Sequence, residues 1–358
     1  MDEDQDQDQQ KSARPSVRER WHAFTVSPFF PACVLVLILA AAAGLFAGSY
    51  TYAMANPTPH HVPTAVVGQP DSARDRTAFI QGMEKALGSS LELRHYRTQR
   101  QAEAAIEAQK VFAIMRVEPP DGGGRPKKVE LDVSSASGAS VAELLEQAGP
   151  EVGREVGVRV QVRDLKPLSS GDPRGLAIFY ISLAAVIIGF VGAIQLSVHA
   201  RALNPPERIA FTAAYALLGG FVIAAVVDWW LDAVRLPFVH SWMILALTMF
   251  TSGMVFTMFN TLVGRWAMVP TWGVMVLLGN PSSGGAVSWP LLPSVLGAIG
   301  RWLPPGASVN AQHTAVYFPG HQLIQPYLVL AAWALASCTV FWIWRHRHPG
   351  GRPPATLA

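Results

Sequence analysis

Between Arg208 and Arg345 the chain carries only five charged side chains, Asp228, Asp232, Arg235, Arg265 and Arg301, and the intervals between them are long and apolar. A water-soluble fold of that length needs more ionised groups to solvate its surface, whereas about 20 consecutive apolar residues are what the hydrocarbon thickness of a bilayer asks of a helix. The whole chain shows the same imbalance: 15% of its 358 residues are charged, against about 25% in an average soluble protein. The sequence predicts a polytopic α-helical membrane protein.

Six apolar segments follow. The first, Phe29 to Met54, lies in a stretch with no Asp, Glu, Lys or Arg between Arg20 and Asp71. It ends near Ala53-Met54-Ala55, an A-x-A pattern, but it exceeds the 7–15 apolar residues of a signal peptide, so a retained anchor is expected. Leu176 to Val198, Ile209 to Val227, Pro237 to Val263 and Tyr327 to Trp344 read as full spans. The fifth, Trp266 to Leu278, is short and runs into the Gly/Pro/Ser-rich stretch Gly279 to Gly306. A short or broken helix with a re-entrant segment is expected there, since irregular backbone at membrane depth survives only where protein or water covers it.

Residues 55–174 change character. Val62-Pro-Thr-Ala-Val-Val67 reads as a buried strand, and the helix after Asp71 puts Phe79, Met83, Ala86 and Leu87 on one face. Leu91 to Tyr96 alternates as a strand, Thr98 with Gln101 caps a helix through Lys110, and Val111 to Val117 is a further strand. After the Asp121-Gly-Gly-Gly turn, Val129 to Val133 alternates, Ser140 with Glu143 is placed to cap a helix, and Val158 to Val162 closes the series. The order βαβαββαβ predicts an α/β domain of ordinary size.

Orientation follows from cations near the spans. One side collects Lys11, Arg14, Arg18, Arg20, Arg201, Arg208, Arg265, Arg345, Arg347 and Arg352; the short loops of the other side offer only Arg235 and Arg301. The positive-inside rule therefore puts both termini in the cytoplasm and the α/β domain outside. The predicted partition is a cytoplasmic tail over 1–28, a first span over 29–54, an extracytoplasmic α/β domain over 55–174, a five-span membrane domain over 175–345 and a cytoplasmic tail over 346–358. Arginine far outnumbers lysine, which hints at a high-GC bacterial genome, and the expected location is a bacterial plasma membrane.

The chain carries no G-x-x-x-x-G-K-S/T loop for nucleotide phosphates, no G-x-S-x-G nucleophile elbow and no H-E-x-x-H helix. No enzyme activity, cofactor or metal is expected. Its two cysteines, Cys33 and Cys338, both fall in apolar segments and suggest neither a disulfide framework nor a Cys-based metal site. His60-His61 lacks acidic or thiol neighbours at ligand spacing and reads as a solvated linker, and Arg125-Pro-Lys-Lys128 as a solvated loop. No arginine-rich arm or zinc-finger spacing points to nucleic acid. Asp228-Trp-Trp-x-Asp232 reads as an interfacial aromatic belt, and Asn260 and Thr261 as helix-to-helix hydrogen-bonding groups. Asn280, Pro281, Ser282, Ser283, Gly284 and Gly285 form the most distinctive string: backbone freed at membrane depth either lines a pathway or makes a structural turn.

One span, a large external α/β domain and five further spans with a broken fifth resemble the permease subunits of ABC-2-type transporters, and among them the phage-infection-protein-like membrane proteins. Pro63-Thr-Ala-Val-Val67, Thr98 to Ala105 and Val111-Phe-Ala-Ile-Met115 are similar to that family's first external strand, second helix and following strand. Asp172-Pro-x-Gly175 with Phe179-Tyr180 resembles the entry to the second span in a related group of uncharacterised bacterial and fungal membrane proteins, some associated with drug resistance. Leu278-Gly-Asn-Pro-Ser-Ser-Gly-Gly285, Leu292-Pro293 and Leu303-Pro-Pro-Gly306 complete the likeness, which covers Thr25 to Trp344. The resemblance implies a permease half that homodimerises in the lipid bilayer and exports an apolar or amphipathic substrate, driven by a separate ABC ATPase. Expected ATPase contacts are Arg14, Arg18 and Arg20 before the first span and Arg201 and Arg208 after the second. The alternative is an ATPase-independent receptor, envelope scaffold or resistance protein acting through its external domain.

Overall fold

The computed structural model describes residues 16–55, 57–67, 73–117 and 128–348. Arg14, Asp71, the Asp121 turn, Arg125 to Lys127 and the tail from 349 onward lie outside the described residues. The chain divides into two compact units, one up to Gly48 and one from Ser49.

In the first unit, α1 (Val17–Val26) begins at a capping box: the Ser16 hydroxyl accepts from the Glu19 amide and the Glu19 carboxylate accepts from the Ser16 amide. The 26-residue α2 (Phe29–Met54) starts here and continues into the second unit. It has no ionised residue and leaves Leu35, Val36, Leu37, Leu39 and Leu45 exposed, as a lipid-facing helix does.

The second unit opens with the βαβαββαβ series: β1 (Val62–Val67), α3 (Ala73–Leu87), β2 (Leu91–Tyr96), α4 (Gln99–Glu107), β3 (Ala113–Val117), β4 (Lys128–Val133), α5 (Ala139–Val156) and β5 (Arg159–Asp164). The sheet order is β2-β1-β3-β4-β5. It is mixed: β1 runs parallel to β2 and β3, β3 antiparallel to β4, and β4 parallel to β5. All of β1 is buried, as expected of a parallel strand covered on both faces. One core holds Phe79, Met83, Leu131, Leu145 and Val152; the other holds Ala65, Ala102, Ile106 and Ile114 beneath α4.

Two local expectations are corrected. Thr98 does cap α4, accepting from the Gln101 amide. Ser140 does not cap α5: the N-cap is Gly138, with no side-chain cap, and the Ser140 hydroxyl instead meets Ser288. Helix α4 also ends at Glu107, short of the expected Lys110.

The rest is helical: α6 (Ala177–His199), α7 (Pro205–Ala225) with a π-helical turn over Val226–Trp230, α8 (Phe238–Val263), α9 (Met268–Trp272) with a π-helical turn over Gly273–Leu278, α10 (Ser294–Gly300), α11 (Pro304–Tyr317) and α12 (Gln325–Arg347). Five helices in the described residues are long and apolar enough to cross a membrane: Phe29–Met54, Ala177–His199, Pro205–Trp230, Phe238–Trp266 and Gln325–Arg347. The expected fifth span appears as the shorter apolar helix Met268–Leu278. Helix α11, within a region read as irregular up to Gly306 and unassigned to Tyr327, is largely buried against α6, α8 and α12.

Helix α8 is the axis of this part, with α6, α7, α11 and α12 packed around it. Glycines permit the approach. A Cβ on Gly189 of α6 would stand 2.6 Å from the Met249 carbonyl oxygen, and one on Gly220 of α7 2.7 Å from the Ala246 nitrogen. The hydroxyls of α8 turn inward: Ser252 donates to Val186 O at 2.7 Å, Thr251 to Leu330 O at 3.3 Å and Thr248 to Ser308 Oγ at 2.8 Å. Trp229 stacks on Phe238 at 4.4 Å beside an exposed Trp230, and Asp228 accepts from the Leu236 amide.

Candidate functional site

A cavity of about 720 Å³ lies where the α/β domain meets the helices. The sequence closes it from both sides. At the entry to α6, Asp172 accepts from the Leu176 and Ala177 amides at 3.0 and 2.8 Å, capping the helix, while Gly175 (φ 68°) makes the left-handed turn that places Phe179 and Ile178 on the wall. Across the cavity, the segment after the short apolar helix docks on the α/β domain. Ser288 N donates to Ser140 Oγ at 3.1 Å, Trp289 packs edge-on against Phe112 at 5.6 Å, and Leu291 is buried in the same core as Leu131 and Leu145. Gln109 reaches α11, its Nε2 donating to Thr314 Oγ1 at 3.3 Å.

The lining mixes apolar walls with a few polar groups. Phe112, Leu168, Phe179, Trp289 and Val309 give the apolar surface; Glu143, Glu146, Arg174, Arg301, Asn310 and His313 give the polar one. His313 packs against Tyr317 and Phe318, and its desolvated imidazole is pulled down to about 4, so it is neutral at physiological pH. Burial raises the Glu146 carboxyl, reinforced by the charges of Asp164 and Glu143. The Arg301 side chain is exposed, with its guanidinium 3.9 Å over the Trp289 ring. A second cavity, of about 650 Å³, adjoins Arg301 and is lined by His60, His61, Trp289, Leu292, Ala298 and Trp302 among others. His61 Nδ1 pairs with Ser90 Oγ at 2.7 Å, and among the described residues no cluster of three His, Cys, Asp or Glu side chains is arranged for a metal.

The string singled out in the sequence splits. Asn280 is buried and donates to the Tyr50 hydroxyl, Pro281 is buried, and Ser282 Oγ donates to Leu278 O at 2.6 Å. Ser283 is buried and accepts from the Gly285 amide at 3.4 Å. Only Gly284 and Gly285 reach the cavity wall, Gly284 with φ 80°. The remainder forms a packed turn: a Cβ on Gly300 would fall 1.8 Å from the Ser282 carbonyl oxygen.

The basic residues also separate. Arg18 and Arg20 are exposed on α1 and Arg201 is exposed after α6. Arg208 is buried, 9% exposed, and its guanidinium donates to Ser197 Oγ at 3.0 Å and Ala200 O at 3.1 Å, closing the end of α6. That geometry suits a helix cap rather than a docking cation. Sequence reasoning missed Arg301, Trp289, Asn310 and His313 as wall residues; the one available signal was that Arg301 stands alone as a charge between Arg265 and Arg345. No protein-family model, curated protein or solved structure matches the chain.

Proposed function

We propose that the chain is the membrane permease half of an ABC-2-type exporter in a bacterial plasma membrane, moving an amphipathic substrate. Two copies assemble, and a separate ATPase supplies the energy. In this reading the short fifth helix completes six crossings with the re-entrant segment, both termini are cytoplasmic and the α/β domain is outside. The observation that carries it is the mixed cavity, built jointly by the α/β domain, the entry of α6, α11 and the irregular segment after the short apolar helix. Irregular backbone around a cavity at the edge of a helical bundle is how transporters make substrate routes. The sequence has no phosphate-binding loop, so this reading assigns ATP hydrolysis to the partner.

Two measurements test the reading together. In a Cys33→Ala, Cys338→Ala background, a cysteine at Gln147 reacts with an impermeant thiol reagent in intact cells, and one at Glu19 only after permeabilisation. Crosslinking in the native membrane captures an ATPase, and Arg201→Glu reduces that capture by about tenfold while insertion is retained. External labelling at Glu19, or no ATPase captured with wild type, returns the function to a receptor, scaffold or resistance protein acting through the α/β domain.

A further inference from the structure

The two cavities share a wall of three residues, Trp289, Arg301 and Gln325. Trp289 is fixed by Phe112 on one side, and the Arg301 guanidinium lies over its face. Among the described residues no carboxylate lies within 4.0 Å of Arg301 and no acceptor holds its guanidinium; its backbone oxygen accepts from Gln325 Nε2 at 3.0 Å. Among the described residues the guanidinium therefore stands at the junction of the two spaces with five donors and no carboxylate partner.

The chambers differ. Among the described residues Arg301 is the only Asp, Glu, Lys or Arg side chain lining the smaller one, whose other walls include His60, His61, Trp289, Pro290, Leu292 and Trp302. It is flanked by exposed Val295, Ile299 and Trp302 of the α10 region, the kind of surface that faces acyl chains. The larger chamber is wetter, with Asn310, His313 and Arg174, but Glu143 and Glu146 stand on its α5 wall. Those acids disfavour an anion beside α5, whereas the Arg301 guanidinium attracts one.

We infer that the two cavities form one binding site for an anionic amphiphile, its carboxylate or phosphate head paired with Arg301 at the shared wall and its apolar chain in the smaller cavity. Among the described residues no acid competes with the head for the guanidinium. Asn310 and His313, which line the larger chamber, offer further hydrogen-bonding groups to the head. This deepens the proposed function by naming the substrate class of its cavity, and its test requires no ATPase, so binding and energy coupling fail separately.

The full-length protein in phosphatidylcholine nanodiscs is titrated with dodecyl phosphate, with dodecyl maltoside of the same chain and with inorganic phosphate, each corrected against empty nanodiscs. Dodecyl phosphate is expected to bind at least about tenfold more tightly than either, and Arg301→Gln to lose about tenfold of that affinity, with Arg301→Lys intermediate. Equal binding of the maltoside overturns the proposal, as does an unchanged affinity in Arg301→Gln. Tight binding of inorganic phosphate alone overturns it in favour of a free-anion site. Should Arg301→Gln fail to accumulate, the headgroup series on the wild-type protein decides by itself.

Discussion

The α/β domain and the helical region both bury apolar side chains but differ in what is buried and exposed beside them. In the former, Phe79, Met83, Leu131 and Leu145 are buried. In the latter the buried positions of α8 include Ser241, Thr248, Thr251, Ser252 and Thr257, while Leu218, Trp230, Ile324, Leu328 and Leu335 of the helical region are exposed. Among the described residues no large hydrophobic side chain between Ala53 and Phe179 is exposed, yet many are before and after. The difference teaches what holds each part together. Withdrawal of apolar area from water builds the sheet domain; close backbone approach and inward hydrogen bonds join the helices, as expected of helices long and apolar enough to cross a membrane.

Three substitutions sharpen this contrast. The largest effect is expected from Gly300→Ala. Its Cβ meets the Ser282 backbone, which cannot swing aside as a side chain can, so the loss exceeds the ~3 kcal/mol of ordinary overpacking and size-exclusion chromatography should show little monodisperse protein. Next is Leu291→Ala. Although Leu291 lies beyond the short apolar helix, its side chain belongs to the sheet core, and its truncation should cost about 2–3 kcal/mol, at the low end because the neighbouring cavity can relax. Hydrogen exchange should quicken in β3 and β4 and stay unchanged in α8; the reverse pattern would break the division drawn above.

The smallest concerns pH. The Glu146 carboxyl is raised above its ordinary value of 4.5, chiefly by desolvation, so it holds its proton more tightly folded than unfolded. Stability of the sheet domain therefore falls as pH climbs above 4.5, a modest slope for an exposed side chain, and Glu146→Gln should flatten it. An unchanged slope of exchange protection against pH would remove Glu146 from the account.

Much of this was legible in the chain. Alternation and capping gave the βαβαββαβ series, because period-2 and period-3.6 patterns are local. The apolar runs likewise marked the long helices. Sheet order was not legible, since β1 between β2 and β3 depends on which strands meet in space. Ser140 reads locally as a cap, and its partner Ser288 is 148 residues away. Arg208 reads as a loop cation, but two acceptors at the end of α6 draw it inward. Arg301 became part of a site only when Trp289 and two cavities were set around it.

The burial of Leu291 in the sheet core also bears on the order of events during synthesis. The last strand of the sheet ends at Asp164, but the side chain that completes its core is made roughly 130 residues later, after three long apolar helices. At about 5–20 residues per second that delay is on the order of 10 s. Throughout it, Phe112 and its neighbours lack the Trp289 and Leu291 cover, so the sheet reaches its final stability only after the helices it rests on have been made.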